Sequence, residues 1–295
     1  MPAPEPIPAS ADEPMAKPTA PTDAEIERWA YRYLRHAPLS LALREINRLA
    51  AFQTVASTRG PVLDVGCGDG FWWTVREDGR EIYGIDISAR EIAQARERIT
   101  AEITDVSREA PFAGTRFKEI IGNCSLEHVP DIDAALLNLR KAAADDARLL
   151  MFVPTPRWAL QGRMQGLLLK HAPRVAMTVS GALNGFFQHW HLYDLKVWTR
   201  LLEQNGWTVR ASYGMGSQRS EFLYRLFLPQ AFVEFVAKKL TGHYPAKLGA
   251  LLPDALLAPF AKLVRWAVHD PLVPADSPTA YEYLIIADAA AVPTR

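Results

Sequence analysis

The chain has 295 residues with 33 basic and 33 acidic side chains, so its formal net charge is zero. That balance excludes the strong global field that draws a protein to nucleic acid, and no basic stripe is present. The two cysteines, Cys67 and Cys124, exclude a disulfide-stapled scaffold, and with no paired histidines beside them they form no zinc pattern.

Residues 1–23, rich in Pro and Ala, cannot bury a core and read as a disordered tail. No signal peptide and no run of 18 uncharged apolar residues is visible, so a cytoplasmic protein is expected. N-terminal helices fill 24–58. Ile26, Trp29, Ala30, Tyr33 and Leu34 share one helical face. A second helix runs from Pro38 to about Val55 on Leu39, Leu43, Ile46, Leu49 and Ala50. These helices either cover a ligand site or simply pack on the sheet.

A core over 59–154 follows, alternating strands and helices. Strands are predicted at 61–65, 81–86, 102–104, 117–122 and 148–153, with helices near 71–78, 89–100 and 131–143. This alternation requires a parallel sheet with helices on both faces. The core continues over 194–213, with a helix at 194–204 and a strand at 207–211. A last strand at 281–287 opens the final segment, 281–295. Two segments, 155–193 and 214–280, exceed what such a sheet needs.

The first strand, Val62-Leu63-Asp64-Val65, runs into a turn with Gly66, Gly68 and Gly70 at every second position. Glycines permit positive φ and close approach of a ligand to the backbone. A helix start near Phe71 directs free N–H groups to the same spot. A second carboxylate, Asp86, ends the next apolar run at the distance where a ribose-binding acid belongs. Beyond the fourth strand comes Asn123-Cys124-Ser125-Leu126-Glu127-His128.

This pattern resembles the class I S-adenosyl-L-methionine-dependent methyltransferases, in the G-x-G-x-G spacing, the acid before it, Asp86 and the L-E-H run. The resemblance is strong over about 60–155 and weaker over 194–213 and 281–288. It implies an α/β, Rossmann-like, seven-stranded, mostly parallel sheet with its last strand antiparallel. The two insertions would then leave the ligand-binding edge of the sheet as helical caps over the active site. S-adenosyl-L-methionine is the implied cofactor. Its ammonium is assigned to Asp64, and its carboxylate to the turn of Gly66, Cys67, Gly68 and Gly70. Asp86 takes the ribose hydroxyls, Ile87 lies against the adenine, and Asp105-Val106 resembles the adenine motif. Asn123 faces the methionine portion. Asp64 and Asp105 also have plain structural readings, as a turn cap and a solvated loop acid.

Methyl transfer from a sulfonium needs orientation and desolvation, and an oxygen acceptor also needs a base. His128, His189 and His191 are the candidates. His189 and His191 are two apart and, in extended chain, point the same way. No third ligand is adjacent, so no metal is expected. The same histidines could serve only to hold their loops.

No acid lies between Asp146 and Asp194, whereas Arg157, Arg163, Lys170 and Arg174 stand there among leucines. A second apolar stretch contains Phe222, Phe227, Phe232 and Phe235. Such basic, greasy caps fit a small-molecule, lipid or lipid-linked acceptor, peripheral membrane contact, or a homodimer surface. The reading is a methyltransferase acting on such an acceptor, at oxygen before nitrogen or carbon. The alternative is a cofactor-binding protein without transfer activity that docks on a membrane or partner.

Overall fold

The computed structural model describes residues 20–55, 59–160, 163–242, 244–245, 252–268 and 271–290. Residues 1–19 of the expected tail lie outside them.

Eight strands form one sheet: β1 Val62–Val65, β2 Ile82–Asp86, β3 Thr100–Ile103, β4 Phe117–Asn123, β5 Ala143–Pro154, β6 Trp207–Met215, β7 Leu272–Pro274 and β8 Glu282–Ala289. Their order is β3-β2-β1-β4-β5-β8-β6-β7. The first five pair in parallel, and β8 lies between β5 and β6, antiparallel to both. The sheet is the expected Rossmann-like one with its last strand antiparallel, but it has eight strands rather than seven. The extra strand is β7, which pairs antiparallel with Tyr213–Met215 at the sheet edge. Three residues ending in a proline carry no legible period, and an edge is where a sheet tolerates proline.

The helices are α1 Asp23–Leu34, α2 Leu39–Val55, α3 Phe71–Arg76, α4 Ala89–Ala95, α5 Ile132–Ala142, α6 Arg163–His171, α7 Pro173–Phe187, α8 Leu195–Gln204, α9 Gln218–Thr241 and α10 Asp254–Ala267. Successive residues of a strand face opposite sides. In β5, Leu150 and Phe152 join Trp29 of α1 and Phe52 of α2 in one core, while Leu149, Met151 and Val153 join Leu136 of α5 and Trp198 of α8 in the other. A strand buried on both faces therefore reads as an unbroken apolar run. Each such buried side chain contributes about 1.5–3 kcal/mol.

Helix α2 is unusual because it is buried nearly all round. Its polar residues Ser40, Arg44, Asn47 and Arg48 are as inaccessible as its leucines. They meet the start of β8 and the first turns of α9. Arg48 grips Glu282 with two parallel bonds of 2.9 and 2.8 Å and reaches Glu45 at 2.7 Å. Arg44 bonds Glu221 at 2.9 Å and lies between the rings of Tyr281 and Tyr224. Burial opposes ionisation of Glu282, but Arg48 and Arg44 hold its carboxyl below the usual range. Glu282→Ala should leave two buried guanidinium groups short of a counter-charge. It is expected to cost about 3–5 kcal/mol in urea unfolding; an unchanged midpoint would contradict this network as the tie between α2 and β8.

Candidate active site

The ends of β1, β2, β3 and β4 and the start of β8 meet along one edge of the sheet. Asp64, one residue before the end of β1, is buried at 4% exposure. Its Oδ2 accepts from the Trp73 indole at 2.7 Å, while Oδ1 has no hydrogen-bond partner among the described residues. Burial pushes this carboxyl up to about 7, against the Trp73 bond. Asn123 Oδ1, at the end of neighbouring β4, and Ser125 Oγ, in the turn after it, are likewise buried without partners among the described residues. Acceptors left this way cost free energy unless a ligand or water donates to them.

The turn after β1 is shaped by two glycines in the left-handed region. Gly66 has φ 74°, and a Cβ on it would lie 2.5 Å from Ser125 Cβ, so the two turns touch here. Gly68 has φ 54° and open space where its side chain would be. The backbone comes closest to that space at Gly68, whose N–H donates to Asp86 Oδ2 at 3.1 Å. Asp86 Oδ1 accepts from Ser88 N–H at 2.8 Å, and burial raises its carboxyl. Ile87 beside it is 77% exposed. Cys67 is buried against Gly84, and burial drives its thiol pKa up. Neither cysteine is in a disulfide.

The expected row of free amides at the helix start is mostly taken. Gly66 and Cys67 N–H donate to Ile85 O, Gly70 N–H to Cys67 O and Phe71 N–H to Asp69 Oδ1. Helix α3 itself is a short run of six residues. Beyond β3, Asp105 accepts from Ser107 N–H and hydroxyl and pairs with Arg108, and the Ser107 bond lowers its carboxyl. Val106 is buried, its carbonyl taken by Asn138.

Several residues at this edge carry no sequence signal. Glu45 of α2 accepts from Asn123 Nδ2 at 2.9 Å and so links the turn to the Arg48–Glu282 pair. His36 stacks on Phe71 and bonds Asp69 at 3.0 Å. Burial works against ionisation of Asp69, but His36, the Phe71 N–H and Arg98 together hold the carboxyl at about 2.

The three histidines do not behave alike. Trp190 and His191 N–H both donate to the Glu127 carbonyl, stitching the chain after α7 to the turn Leu126–His128. His191 Nε2 bonds the Val129 carbonyl at 2.8 Å and Nδ1 bonds the Tyr193 hydroxyl at 2.9 Å. A carbonyl only accepts, so Nε2 carries the proton and Nδ1 takes the Tyr193 O–H. No nitrogen of His191 remains to receive a proton from an acceptor. His189 turns away from it, onto His128, Trp158 and Phe187. The two histidines thus do not share a direction, because the chain bends at Trp190 between them rather than running extended. Burial, then the nearby His128, pushes His189 down to about 4. Burial also lowers His128 and raises Glu127 to about 8. Glu127, His128 and His189, without His191, offer ligand atoms within 4.8 Å of one another.

Residues 31–212, more than half of the chain, match a family model described as a methyltransferase domain. The chain belongs to this methyltransferase family. No curated protein matches it in sequence. It is similar in fold to a SAM-dependent methyltransferase from Thermotoga maritima, at 13% identity and TM-score 0.50 over 90% of this chain and 95% of that one. A phosphoethanolamine N-methyltransferase 2 from Haemonchus contortus, solved with S-adenosylhomocysteine, has 17% identity and TM-score 0.50 over 92% of this chain and 59% of that one. An S-adenosylmethionine-dependent methyltransferase from Mesorhizobium loti has 15% identity and TM-score 0.47 over 82% and 97%. The protein is an S-adenosyl-L-methionine-dependent methyltransferase.

His191→Phe keeps an aromatic ring but leaves the part-buried Val129 carbonyl without its donor. It is expected to lower unfolding free energy by about 1–3 kcal/mol in urea; a wild-type midpoint would show that His191 does not hold this loop.

Proposed function

We propose that this methyltransferase transfers its methyl group to an oxygen of a small acceptor with an apolar body, a lipid or lipid-linked molecule. The cofactor assignment comes first. Asp64 and Asn123 receive the ammonium, which supplies three donors where two buried acceptor oxygens have none. The turn of Gly66, Cys67, Gly68 and Gly70 forms the wall for the methionine end, and the space at Gly68 admits close approach. Each Asp86 oxygen already accepts one backbone N–H and keeps a lone pair for a ribose hydroxyl. Exposed Ile87, with Asp105 and Val106 after β3, is assigned to the adenine. Bound there, the cofactor supplies a methyl group already activated on a sulfonium. The chain's residues then need only to orient the acceptor, exclude water and let one proton leave.

The observation that carries the acceptor class is a cavity of about 440 Å³ between α2, α7 and α9. Its wall is carbon except near Ser40, Tyr224 and Tyr244. Phe187 lines this cavity and also stacks on His189, so an apolar body inside it brings its polar end toward His189 and His128. We assign those two histidines to acceptor contact and His191 to holding their loop.

The outer surface supports a membrane source for the acceptor. Leu167, Val175 and Met177 of α6 and α7, and Phe222, Leu226, Val233 and Leu240 of α9, are exposed. Exposed Lys170, Arg174 and Lys239 flank them. Among the described residues no helix is long and apolar enough to cross a membrane. Peripheral contact with an anionic surface fits this combination; a second copy of the chain is the competing cover.

Incubating the protein with methyl-labelled cofactor and a whole-cell extract, then separating organic from aqueous phases, tests the proposal. Label is expected in the organic phase. Label confined to the aqueous phase would contradict an apolar acceptor, and no transfer into either phase would favour the docking module without transfer activity.

A further inference from the structure

We propose that Glu127, His128 and His189 form a binding site for a divalent zinc-type ion, beside Phe187 of the cavity wall. The three side chains come from two segments far apart in sequence. Their ligand atoms nonetheless lie within 4.8 Å of one another. Two imidazoles and one carboxylate are a donor set of borderline softness that suits zinc.

The surroundings are those of a built site. His128 Nδ1 lies 3.2 Å from the Gln188 carbonyl, which only accepts, so the proton is on Nδ1 and the Nε2 lone pair is free. That Nε2 lies 3.7 Å from Glu127 Oε1. His189 Nδ1 faces Asn184 Oδ1 at 3.4 Å, and the same oxygen is fixed by the Trp158 indole at 2.8 Å. A ring nitrogen tied to a carbonyl while the other points at the ion is the usual outer shell of a metal-bound histidine. Glu127 supplies the independent sign. Its side chain is 1% exposed, and its Oε2 is buried with no hydrogen-bond partner among the described residues. An ion there would satisfy it.

The backbone holds the three in place. Trp190 and His191 N–H donate to the Glu127 carbonyl at 3.0 and 3.2 Å, so the segment after α7 cannot drift from the turn after β4. Tetrahedral zinc with bonds of about 2.0–2.2 Å needs ligand atoms about 3.5 Å apart, which modest rotations of the two imidazoles provide.

Three protein ligands leave one position open, the pattern of a catalytic rather than a structural zinc site. Phe187, stacked on His189, also lines the proposed acceptor cavity. An acceptor hydroxyl held there would lose its proton to solvent more readily. Its oxygen then takes the methyl carbon, and the carbon–sulfur bond breaks with its electron pair going to sulfur. The metal site itself does not depend on the acceptor reading, and it is measured without turnover.

The test is zinc binding by the full chain after dialysis against chelator, read by titration calorimetry and by metal content after gel filtration. The proposal expects about one zinc per chain. It expects loss of that binding in His128→Ala, His189→Ala and Glu127→Gln, and a weakening of about 10–100-fold in Asn184→Ala. His171→Ala, at the exposed end of α6, should bind as wild type. Zinc bound equally by wild type and His189→Ala, or lost only in His171→Ala, would overturn the site, as would no binding by wild type. Circular dichroism separates lost binding from lost folding, and Asn184→Ala, which removes no ligand, gives a second reading if a ligand variant fails to fold.

Discussion

Polar groups taken out of water must be given partners, and this protein meets that constraint in two contrasting ways along one sheet edge. At the start of β8 the partners are internal: Arg48 pairs with Glu45 and Glu282, and Arg44 with Glu221. At the ends of β1 and β4 they are not. Asp64, Asn123, Ser125 and Glu127 each keep an atom with no partner among the described residues. The first set fixes α2 against the sheet. The second is where the proposed cofactor and the proposed ion would complete the hydrogen bonding.

The two sets are joined. Asn123 donates to Glu45, Glu45 bonds Arg48, and Arg48 grips Glu282. The rigid side of the edge thereby sets the position of the open side. Gly66 does the same for the turns, since only a residue without Cβ lets the turn after β1 meet Ser125. Helices α7 and α9 add an apolar wall beyond the sheet, and Phe187 connects that wall to His189. Preorganisation of this kind suits a transfer reaction whose main demands are orientation and dryness.

The sheet is legible in the sequence because β1, β4 and β5 carry short buried apolar stretches, Val62-Leu63, Ile120-Ile121 and Leu149 to Val153, soon stopped by glycine, asparagine or proline. The glycine turn and Asp86 are legible because chemistry dictates their spacing. Arg44, Asn47 and Arg48 are not. On α2 they read as a wet face, and what covers them is Tyr281 and Glu282, 234 residues away from Asn47 and Arg48 respectively. The meeting of His128 with His189 is hidden for another reason. It is made by backbone N–H groups donating to the Glu127 carbonyl, which side-chain identities do not encode. His189 and His191 part company because the chain bends at Trp190, which breaks the extended geometry that would align them.

We propose that the buried Asp64 carboxylate receives the cofactor ammonium. Its pKa is raised to about 7 by burial, so below that pH the free protein carries a proton there that binding must expel. The most direct measurement is S-adenosylhomocysteine affinity by calorimetry between pH 5 and 8 in wild type and Asp64→Asn. The account predicts wild-type affinity that falls by roughly tenfold per pH unit below about 7 and levels off above it, and a weaker, flatter profile for Asp64→Asn. Parallel profiles of equal affinity would contradict it.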